Sequence, residues 1–375
     1  MRLADLPTPQ VLVDRTRLLN NIDRVQKVAD AAGARLRPHA KTHKSPVIAR
    51  WQLERGAVGV CCAKLGEAEV FAHAGIHDIR LPYPVNPSNA ARVVALMDRA
   101  AISIIVDHPG VARGWSDTMS RAGRTLDVLI KVDVGFHRCG IDPDAADTLA
   151  FIQMISKLPG LRLRGLLSHA GHGYQAASDA ELTAVARREA EILSGLRDRA
   201  VRAGIPIGEL SVGATPTLRH TASVARRHGL TELRPGNYVY FDRTQFALGA
   251  APLDDCALTV LATVVSKPAH DRIILDCGSK TLSSDQARGF APTPGYGAVL
   301  TDDGSAIDGS LTIERLSEEH ATVRVRGVTA LEPGDRVRVL PNHSCVVSNL
   351  VDAVQLVDAD RVIETLPVAA RGKIA

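Results

Sequence analysis

The sequence predicts an α/β fold in which a closed (β/α)8 barrel of the TIM type is followed by a C-terminal β-domain. Between Arg35 and Tyr238, short β-rich runs alternate with longer amphipathic segments, a pattern typical of a parallel sheet whose crossovers are helices. After about Ala250 this gives way to β-rich runs separated by Gly, Pro and Asp turns. We therefore expect an N-terminal segment (1–15) that could join the β-domain, a barrel (16–250) and the β-domain (251–375).

Eight β-rich runs are the candidate strands of the barrel. They are Arg35–His39, Gly59–Cys62, Asp78–Pro82, Ile102–Val106, Leu126–Asp133, Leu163–His169, Glu209–Gly213 and Glu232–Tyr238. Eight strands with helical crossovers predict a closed barrel, and such barrels carry their chemistry on the loops after the carboxyl ends of the strands. Polar or glycine residues at these ends, such as Lys41, His169, Gly213 and Asn237, are therefore candidate functional residues.

The strands of the β-domain are predicted from β-rich runs between turn residues. They are Leu258–Val265, Arg272–Asp276, Ala321–Arg326 and Arg336–Leu340. A short run at Val11–Asp14 precedes the first helix and could belong to either unit.

Composition and charge exclude several classes of protein. The 375 residues are 45% hydrophobic, and the 45 basic and 41 acidic residues are spread along the chain without the basic clusters of a nucleic-acid surface. The six cysteines form no CxxC pair, no apolar run approaches membrane-spanning length, and the first residues do not resemble a signal peptide. We expect a cytoplasmic protein that binds neither nucleic acid nor membranes.

The segment Arg37–Lys44 places a lysine just after the first barrel strand. From there Lys41 can point its amine into the barrel mouth. A lysine that forms a Schiff base must spend time unprotonated, and neighbouring cations lower its pKa. We expect Arg37, His39 and His43 to supply that positive field. From spacing alone, however, a basic surface turn is the simpler interpretation.

Two glycine-containing turns follow the last two strands, at Ser211–Thr217 and Arg234–Tyr238. Loops in these positions of such barrels often bind phosphate through backbone N–H groups, because glycine lets the backbone approach the ligand. Each turn alone could be an ordinary strand–helix connection, but the two together favour a phosphorylated ligand.

His343 and Cys345 are a candidate pair of metal ligands. They lie just after a predicted strand, and alternate residues of an extended segment point the same way. Imidazole and thiolate together suit zinc. With only two ligands, a packed cysteine beside a histidine at a strand end is the simpler interpretation of the pair on its own.

The segment Arg37–Lys44 resembles the cofactor-lysine segment of D-threonine aldolases and eukaryotic-type D-serine dehydratases, alanine-racemase-like enzymes of fold type III that use pyridoxal 5'-phosphate (PLP). Further motifs resemble that family in the same order along the chain: Lys131–Gly140, Ser168–His172, Gly213–Pro216, Thr231–Tyr238 and Pro341–Cys345. The resemblance spans nearly the whole chain.

The resemblance implies a PLP-binding barrel with a β-domain, in a homodimer whose partner completes the site. It implies Lys41 as the lysine that binds the cofactor. The other residues that it places around PLP are Arg138 near the phenolic oxygen, His169 and Tyr174 along the ring, and Gly213, Thr215, Gly236 and Asn237 around the phosphate. It also implies that His343 and Cys345 bind a divalent ion, Zn²⁺ or Mn²⁺.

The reaction implied by the family is lyase chemistry on a small D-3-hydroxy amino acid. Cys345 favours a D-serine dehydratase, since D-threonine aldolases can carry Asp at this position. His172, as a base for the β-hydroxyl proton, and the segment Asn349–Gly372 favour an aldolase. Retro-aldol cleavage of the D-threonine aldolase type, to glycine and an aldehyde, is the first expectation. Dehydration of D-serine, or dehydration or aldol cleavage of 3-hydroxyaspartate, is the alternative.

Two other functions are weaker interpretations. A non-catalytic PLP-binding protein usually ends after the barrel, whereas this chain continues for roughly 120 residues that include His343 and Cys345. An alanine racemase needs a tyrosine from the β-domain, and Tyr296, the one tyrosine after residue 240, does not match that pattern.

Overall fold

The protein contains two sheets connected by helices, described here from a computed structural model of residues 1–375. The strands are β1 Gln10–Asp14, β2 Arg35–Leu36, β3 Val60–Cys61, β4 Asp78–Pro84, β5 Ala101–Val106, β6 Leu126–Lys131, β7 Leu161–Leu167, β8 Glu209–Val212, β9 Glu232–Leu233, β10 Leu258–Ala269, β11 Arg272–Leu275, β12 Ala298–Val299, β13 Leu311–Leu316, β14 Ala321–Val325, β15 Arg336–Leu340, β16 Ala353–Asp358 and β17 Arg361–Pro367. The helices are α1 Arg15–Ala32, α2 Pro46–Glu54, α3 Leu65–His73, α4 Ala90–Met97, α5 Pro109–Arg121, α6 Thr148–Ser156, α7 Asp179–Arg202, α8 Leu218–His228, α9 Arg243–Ala247, α10 Ser279–Leu282 and α11 Ser344–Leu350.

The predicted barrel is confirmed. Strands β2 to β9 form one parallel sheet in the order β2-β9-β8-β7-β6-β5-β4-β3. A parallel bridge between His39 and Cys61 joins the two ends of this order, and the backbone N–H of Ala40 donates to the Cys61 carbonyl at 2.8 Å. The eight predicted strands are the eight observed ones.

Two of the barrel strands end three or more residues before their predicted ends, whereas the other ends differ by at most two residues. The sequence predicts strands to His39 and Tyr238, whereas β2 ends at Leu36 and β9 ends at Leu233. Pro38 and Pro235 explain the difference, because proline has no N–H to donate to a strand ladder.

The β-domain is a nine-stranded sheet that includes the N-terminal strand. Strand β1 lies between β10, to which it is antiparallel, and β16, to which it is parallel. Helix α1 begins directly after β1, where the Asp14 side chain accepts the backbone N–H of Arg17 at 2.9 Å. Strand and helix together therefore connect the β-domain to the barrel.

Two apolar cores stabilise the molecule. One lies between the barrel strands and their helices and includes Trp115 and Phe71, both fully buried. The other fills the β-domain and extends to Leu18 and Ile22 on α1 and Ile48 on α2, so the first two helices share a core with the β-domain. None of the helices has both the length and the apolarity needed to cross a bilayer.

Charged side chains cross the interior of the barrel. Glu232 on β9 is fully buried and accepts hydrogen bonds from Arg37 Nε at 2.8 Å and from Arg80 on β4. Arg80 also donates to Glu209 on β8 at 2.9 Å, and Arg37 donates to Asp78 at 2.7 Å. Burial raises the pKa of the Glu232 carboxyl, but Arg80 and Arg37 outweigh it and lower that pKa to about 2.

We predict that Glu232→Gln lowers the free energy of unfolding by about 3–5 kcal/mol, because it removes the buried carboxylate that two buried guanidinium groups share and leaves each with one carboxylate partner. Asp98→Asn is the matched control: Asp98 pairs with Arg124 at the surface, where such a pair contributes at most about 1 kcal/mol. Urea denaturation at fixed protein and cofactor concentration measures both. Equal losses in the two variants would contradict the structural role of the interior network.

The same carboxylate makes stability depend on pH. The folded-state pKa of about 2 lies below the ordinary value of 4.5, so the contribution is complete above pH 4.5 and is lost as the pH falls towards 2. We predict that Glu232→Gln removes this part of the acid sensitivity, which denaturation curves between pH 5 and pH 2.5 would show.

Candidate active site

A cavity of about 530 Å³ lies at the carboxyl ends of the barrel strands, with residues of the β-domain along one side. Every site residue predicted from the sequence lines it except His172. Those on its walls are Lys41, Arg138, His169, Tyr174, Gly213, Thr215, Gly236, Asn237, His343 and Cys345. The barrel position predicted for the chemistry is thus where the structure gathers these residues.

Lys41 lies on the turn after β2, with its side chain exposed to the cavity. The Lys41 backbone N–H donates to His39 Nδ1 at 3.4 Å, while the neighbouring Ala40 is bonded to Cys61 on β3. No carboxylate lies within ion-pair distance of the Lys41 amine, so nothing in the protein competes with a carbonyl ligand for it. Burial, and next the charge of Lys41, lower the pKa of His39, which keeps that imidazole neutral.

The positive field predicted around Lys41 is wrong for all three of its members, because burial keeps His39 neutral and the other two side chains point elsewhere. Arg37 points into the barrel interior, where Glu232 neutralises it. His43 is buried, and burial lowers its pKa to about 4, so its ring is uncharged. Both side chains point away from the barrel mouth, because the backbone on either side of Lys41 directs them into the packed interior of the protein.

Lys131, a residue that our sequence reasoning did not assign to the site, lies on the cavity wall at the end of β6. Burial, followed by the nearby Arg234, lowers the pKa of its amine to about 7. Its place at a strand end was the signal that could have found it. Together with Arg138 and Arg234, it supplies the positive charge of the barrel side of the cavity.

The two glycine-containing turns present a group of hydrogen-bond donors that have no acceptor in the protein and could bind an anion. The backbone N–H groups of Ala214, Thr215 and Gly236 donate to no acceptor within the protein, and the buried Thr215 hydroxyl has no partner. A Cβ on Gly236 would lie 2.9 Å from the Cβ of His39, so only glycine fits. Such N–H groups beside the start of a helix, here α8, bind phosphate. The residues therefore fit the phosphate of PLP.

His169 presents a flat, neutral ring to the same cavity. Its Nδ1 lies 2.9 Å from the Gly213 carbonyl, and its ring meets Phe136 edge-on, with centroids 5.8 Å apart. Burial, and then Lys41, lower its pKa. The Arg138 guanidinium lies over the Phe136 ring, 5.1 Å from its centroid. These side chains can pack along an aromatic cofactor.

His343 and Cys345 lie together on the β-domain side of the cavity, although not on an extended strand. His343 precedes helix α11 and Cys345 is in its first turn. Burial would lower the pKa of His343 and raise that of Cys345. The mutual interaction of the pair outweighs burial, so that it raises the pKa of His343 to about 10 and lowers that of Cys345. His343 Nδ1 contacts Asp285 at 2.6 Å, while the ring also interacts with the Cys345 thiol.

The side chains of His343 and Cys345 fit a divalent metal ion that keeps open coordination positions. Thiolate and imidazole are typical ligands of zinc, and a carboxylate on the second ring nitrogen orients many metal-bound histidines. No group of three or more His, Cys, Asp or Glu side chains is arranged to hold a metal. An ion bound by His343 and Cys345 would therefore keep positions for water or substrate.

Asp242, which our sequence reasoning did not single out, joins the phosphate side of the cavity to the metal-type pair. Its buried carboxylate accepts the Asn237 amide at 2.5 Å and the backbone N–H of Ser344 at 3.0 Å. It also caps α9 through the backbone N–H of Gln245. The pKa of Asp242 is raised by burial. Its place just before a short helix was the only local signal.

His172 lies outside the cavity wall. It is half-buried in the turn after β7, and its ring is close to Gly135, where an added Cβ would lie 3.7 Å from it. Its Nδ1 is buried without a hydrogen-bond partner, and burial lowers its pKa. The neighbouring Gly171 does line the cavity. A catalytic role for His172 stays a prediction.

Comparisons with known proteins agree with this architecture. The family model of the alanine racemase N-terminal domain matches residues 13–244, and that of a serine dehydratase domain matches residues 257–357. The barrel and the β-domain thus define a fold-type III PLP enzyme.

More particularly, the chain belongs to the family of D-threonine aldolases, D-serine dehydratases and 3-hydroxyaspartate lyases. It is 34% identical to the D-threo-3-hydroxyaspartate dehydratase of Delftia sp. (strain HT23), covering 97% of both chains, and 35% identical to the D-threonine aldolase of Arthrobacter sp., covering 99% of this chain and 94% of the relative. The solved structure of a cysteine-to-alanine mutant of D-threo-3-hydroxyaspartate dehydratase, in its metal-free form, has a TM-score of 0.89 and 33% identity over 98% of both chains.

We predict that Lys41→Ala abolishes covalent attachment of PLP, because Lys41 is exposed to the cavity on the turn that contacts Gly236, whereas Lys131, the other lysine of the cavity, is buried at the end of β6. Borohydride reduction of the holoprotein followed by peptide mass spectrometry identifies the labelled lysine. Lys157→Ala, an exposed lysine on the outside of the barrel, is the control and should retain the label. A reduced adduct on Lys131, or one that persists in Lys41→Ala, would contradict the assignment.

Proposed function

We propose that this protein is a PLP- and metal-dependent lyase of D-3-hydroxy amino acids. One observation carries the proposal: a single cavity contains the free amine of Lys41, a phosphate-sized set of N–H donors and the His343–Cys345 pair. The hydroxyl of Thr42, the residue after Lys41, lies 3.2 Å from Cys345 Sγ, so the lysine turn and the metal-type pair are adjacent.

The barrel residues bind and orient the cofactor. Bound PLP would withdraw electrons from Cα of an attached amino acid and so weaken the bonds around it. The N–H groups of Ala214, Thr215 and Gly236 bind the phosphate, and His169 fixes the ring plane. Lys41, on the same wall, is the base that takes the proton from Cα, a role for which its amine is free of carboxylate partners.

The β-domain side contributes the group that acts on Cβ. His343 and Cys345 would hold Zn²⁺ or Mn²⁺, and such an ion would act as a Lewis acid on the β-hydroxyl. Asp285 orients His343 through Nδ1 and so directs Nε2 to the cavity. Solved mutants of the related dehydratase change a histidine and a cysteine two residues apart, the spacing of His343 and Cys345, and the cysteine mutant is described in a metal-free form, which supports a metal role for the pair.

Of the two bonds that this class of enzyme breaks, the geometry favours the C–O bond. Elimination of water needs a base at Cα and help for the departing hydroxide, and the cavity wall supplies both through Lys41 and the His343–Cys345 pair. We therefore propose a dehydratase, which converts its substrate into a 2-oxo acid and ammonia.

Retro-aldol cleavage to glycine and an aldehyde is the second candidate. It is supported by the 35% identity to a D-threonine aldolase and by His172, which lies directly beside the cavity residue Gly171. A rotation of this turn would be needed to bring the His172 ring to the β-hydroxyl of a substrate.

We predict that His172→Ala retains turnover, because elimination does not use a base outside the cavity wall. Incubation of the metal-loaded holoenzyme with D-serine, D-threonine and D-3-hydroxyaspartate, followed by product analysis, distinguishes the reactions. A 2-oxo acid plus ammonia supports the dehydratase. Glycine plus an aldehyde, lost in His172→Ala, would establish the aldolase instead.

We also predict that His343→Ala and Cys345→Ala each lower both the metal content per protomer and the turnover rate, because a site with two protein ligands loses most of its metal affinity when one ligand is removed. His320→Ala, an exposed histidine elsewhere in the β-domain, should change neither. Metal content is measured by atomic emission after dialysis against Zn²⁺ or Mn²⁺. Full activity of metal-free protein would rule out the Lewis-acid role.

The proposal includes a homodimer in the cytoplasm. The family resemblance supports a site completed by a partner subunit, and none of the six cysteines is in a disulfide, which suits a reducing compartment. Sedimentation equilibrium of the holoprotein measures the assembly directly.

A further inference from the structure

The loop between α10 and β12 forms part of the cavity wall, and it has a strongly polar character. Four consecutive residues, 285–288, line the cavity, and Ala287 is the one apolar side chain among them. Tyr174 and Gln245 lie on the same wall. A substrate group that faces this wall would therefore meet hydrogen-bonding and charged groups rather than a pocket for a methyl.

The protein holds this loop at both ends. The buried Asn342 amide donates to the carbonyls of Asp285 and Gly295, both at 2.9 Å. Arg243 donates to the carbonyls of Pro294 and Gly297 at 2.9 and 3.0 Å. These bonds fix the loop against α9 and the segment before α11, so its side chains have defined positions.

Arg288 is the cation that the loop brings to the cavity. Its guanidinium has no hydrogen-bond or ion-pair partner in the protein, whereas its backbone N–H is bonded to the Thr244 hydroxyl at 3.3 Å. In contrast, Arg234 donates to the Ser211 hydroxyl and to the Ser168 carbonyl. Of these two arginines, Arg288 alone has its donors available to a ligand.

Gln245 provides a second, independent sign of a ligand. Its side chain is fully buried and lines the cavity, yet neither its amide nitrogen nor its amide oxygen has a hydrogen-bond partner of good geometry. It lies beside the Tyr174 hydroxyl: burial raises the pKa of Tyr174, and the Gln245 amide, followed by the charge of Arg288, partly offsets that rise. A buried amide without partners costs free energy unless a bound group satisfies it.

The loop lies on the side of the cavity where Cβ of the substrate would be. Asp285 contacts His343, the residue that we place beside the β-hydroxyl, and Arg288 follows Asp285 by three residues. Lys41 and the free N–H groups, which fix Cα, are on the barrel side. A second substituent on Cβ would therefore face Arg288 and Gln245.

We propose that Arg288, with Gln245, binds a carboxylate carried on Cβ, so that the preferred substrate is a dicarboxylic D-3-hydroxy amino acid of the 3-hydroxyaspartate type. This inference rests on the proposed lyase function. A guanidinium can bind a carboxylate through two parallel hydrogen bonds. The methyl of D-threonine or the hydrogen of D-serine leaves those donors without a partner, which lowers the specificity for these substrates.

The test compares substrates in Arg288 variants of the metal-loaded holoenzyme. Arg288→Ala should lower kcat/KM for D-3-hydroxyaspartate by about 100-fold, mainly through KM, and change kcat/KM for D-threonine and D-serine by less than about 3-fold. Arg288→Lys should recover part of the loss, because it restores the charge without the paired donors. Arg272→Ala, an exposed arginine on β11 that does not line the cavity, should behave as wild type.

Two results would overturn the inference. Equal losses for all substrates would show that Arg288 binds the carboxylate on Cα, which they share. A loss below about 3-fold for D-3-hydroxyaspartate would show that Arg288 binds no substrate carboxylate.

A binding measurement separates this inference from the proposed function. D-Aspartate and D-alanine both carry the amine and the carboxylate on Cα, lack a β-hydroxyl, and differ in the second carboxylate. If the holoenzyme turns over no D-3-hydroxy amino acid, the lyase proposal fails. Tighter binding of D-aspartate than of D-alanine, lost in Arg288→Ala and monitored by cofactor absorbance, would still support the carboxylate site, and equal binding would refute it.

Discussion

The buried carboxylate of Asp242 is the interaction on which the rest of the site depends. It lies between the two domains, where it accepts hydrogen bonds from Asn237 after β9 and from the backbone of Ser344 at the start of α11. Because the same carboxylate caps α9, it also places Gln245 on the cavity wall. One carboxylate thus fixes the phosphate side, the His343–Cys345 pair and the polar wall of the cavity. Residues from the barrel and from the β-domain, which have separate cores, therefore form a single site.

The interior of the barrel beneath the cavity contains a network of paired charged side chains. Most barrels of this kind are filled by layers of branched apolar side chains, whereas here Arg37, Arg80 and Glu232 cross the interior as a neutralised network. Arg234 continues the network upward, since its guanidinium binds Ser211 and the Ser168 carbonyl directly below the catalytic loops. Such a network is rigid only when every member is paired, which links the geometry of the site to the integrity of the interior.

Much of the fold and of the barrel side of the site could be predicted from the sequence, because both follow local rules. Alternating β-rich and amphipathic segments reveal the strands, and the ends of parallel strands converge on one rim, which is where Lys41 and Thr215 are found. The direction of individual side chains could not be predicted: Arg37 and His43 flank Lys41 in sequence but point into packed interiors.

The loop with Asp285 and Arg288 could not be predicted, since its sequence has no periodicity and its position depends on Asn342, which lies more than fifty residues later.

The most direct test of the proposed site is a crystal structure of the holoprotein soaked in Mn²⁺, with anomalous data. We expect continuous density from Lys41 Nζ to the cofactor, the cofactor phosphate at the N–H groups of Ala214, Thr215 and Gly236, and an anomalous peak between His343 and Cys345. A cofactor joined to another lysine, or a metal peak elsewhere in the cavity, would contradict the proposed site.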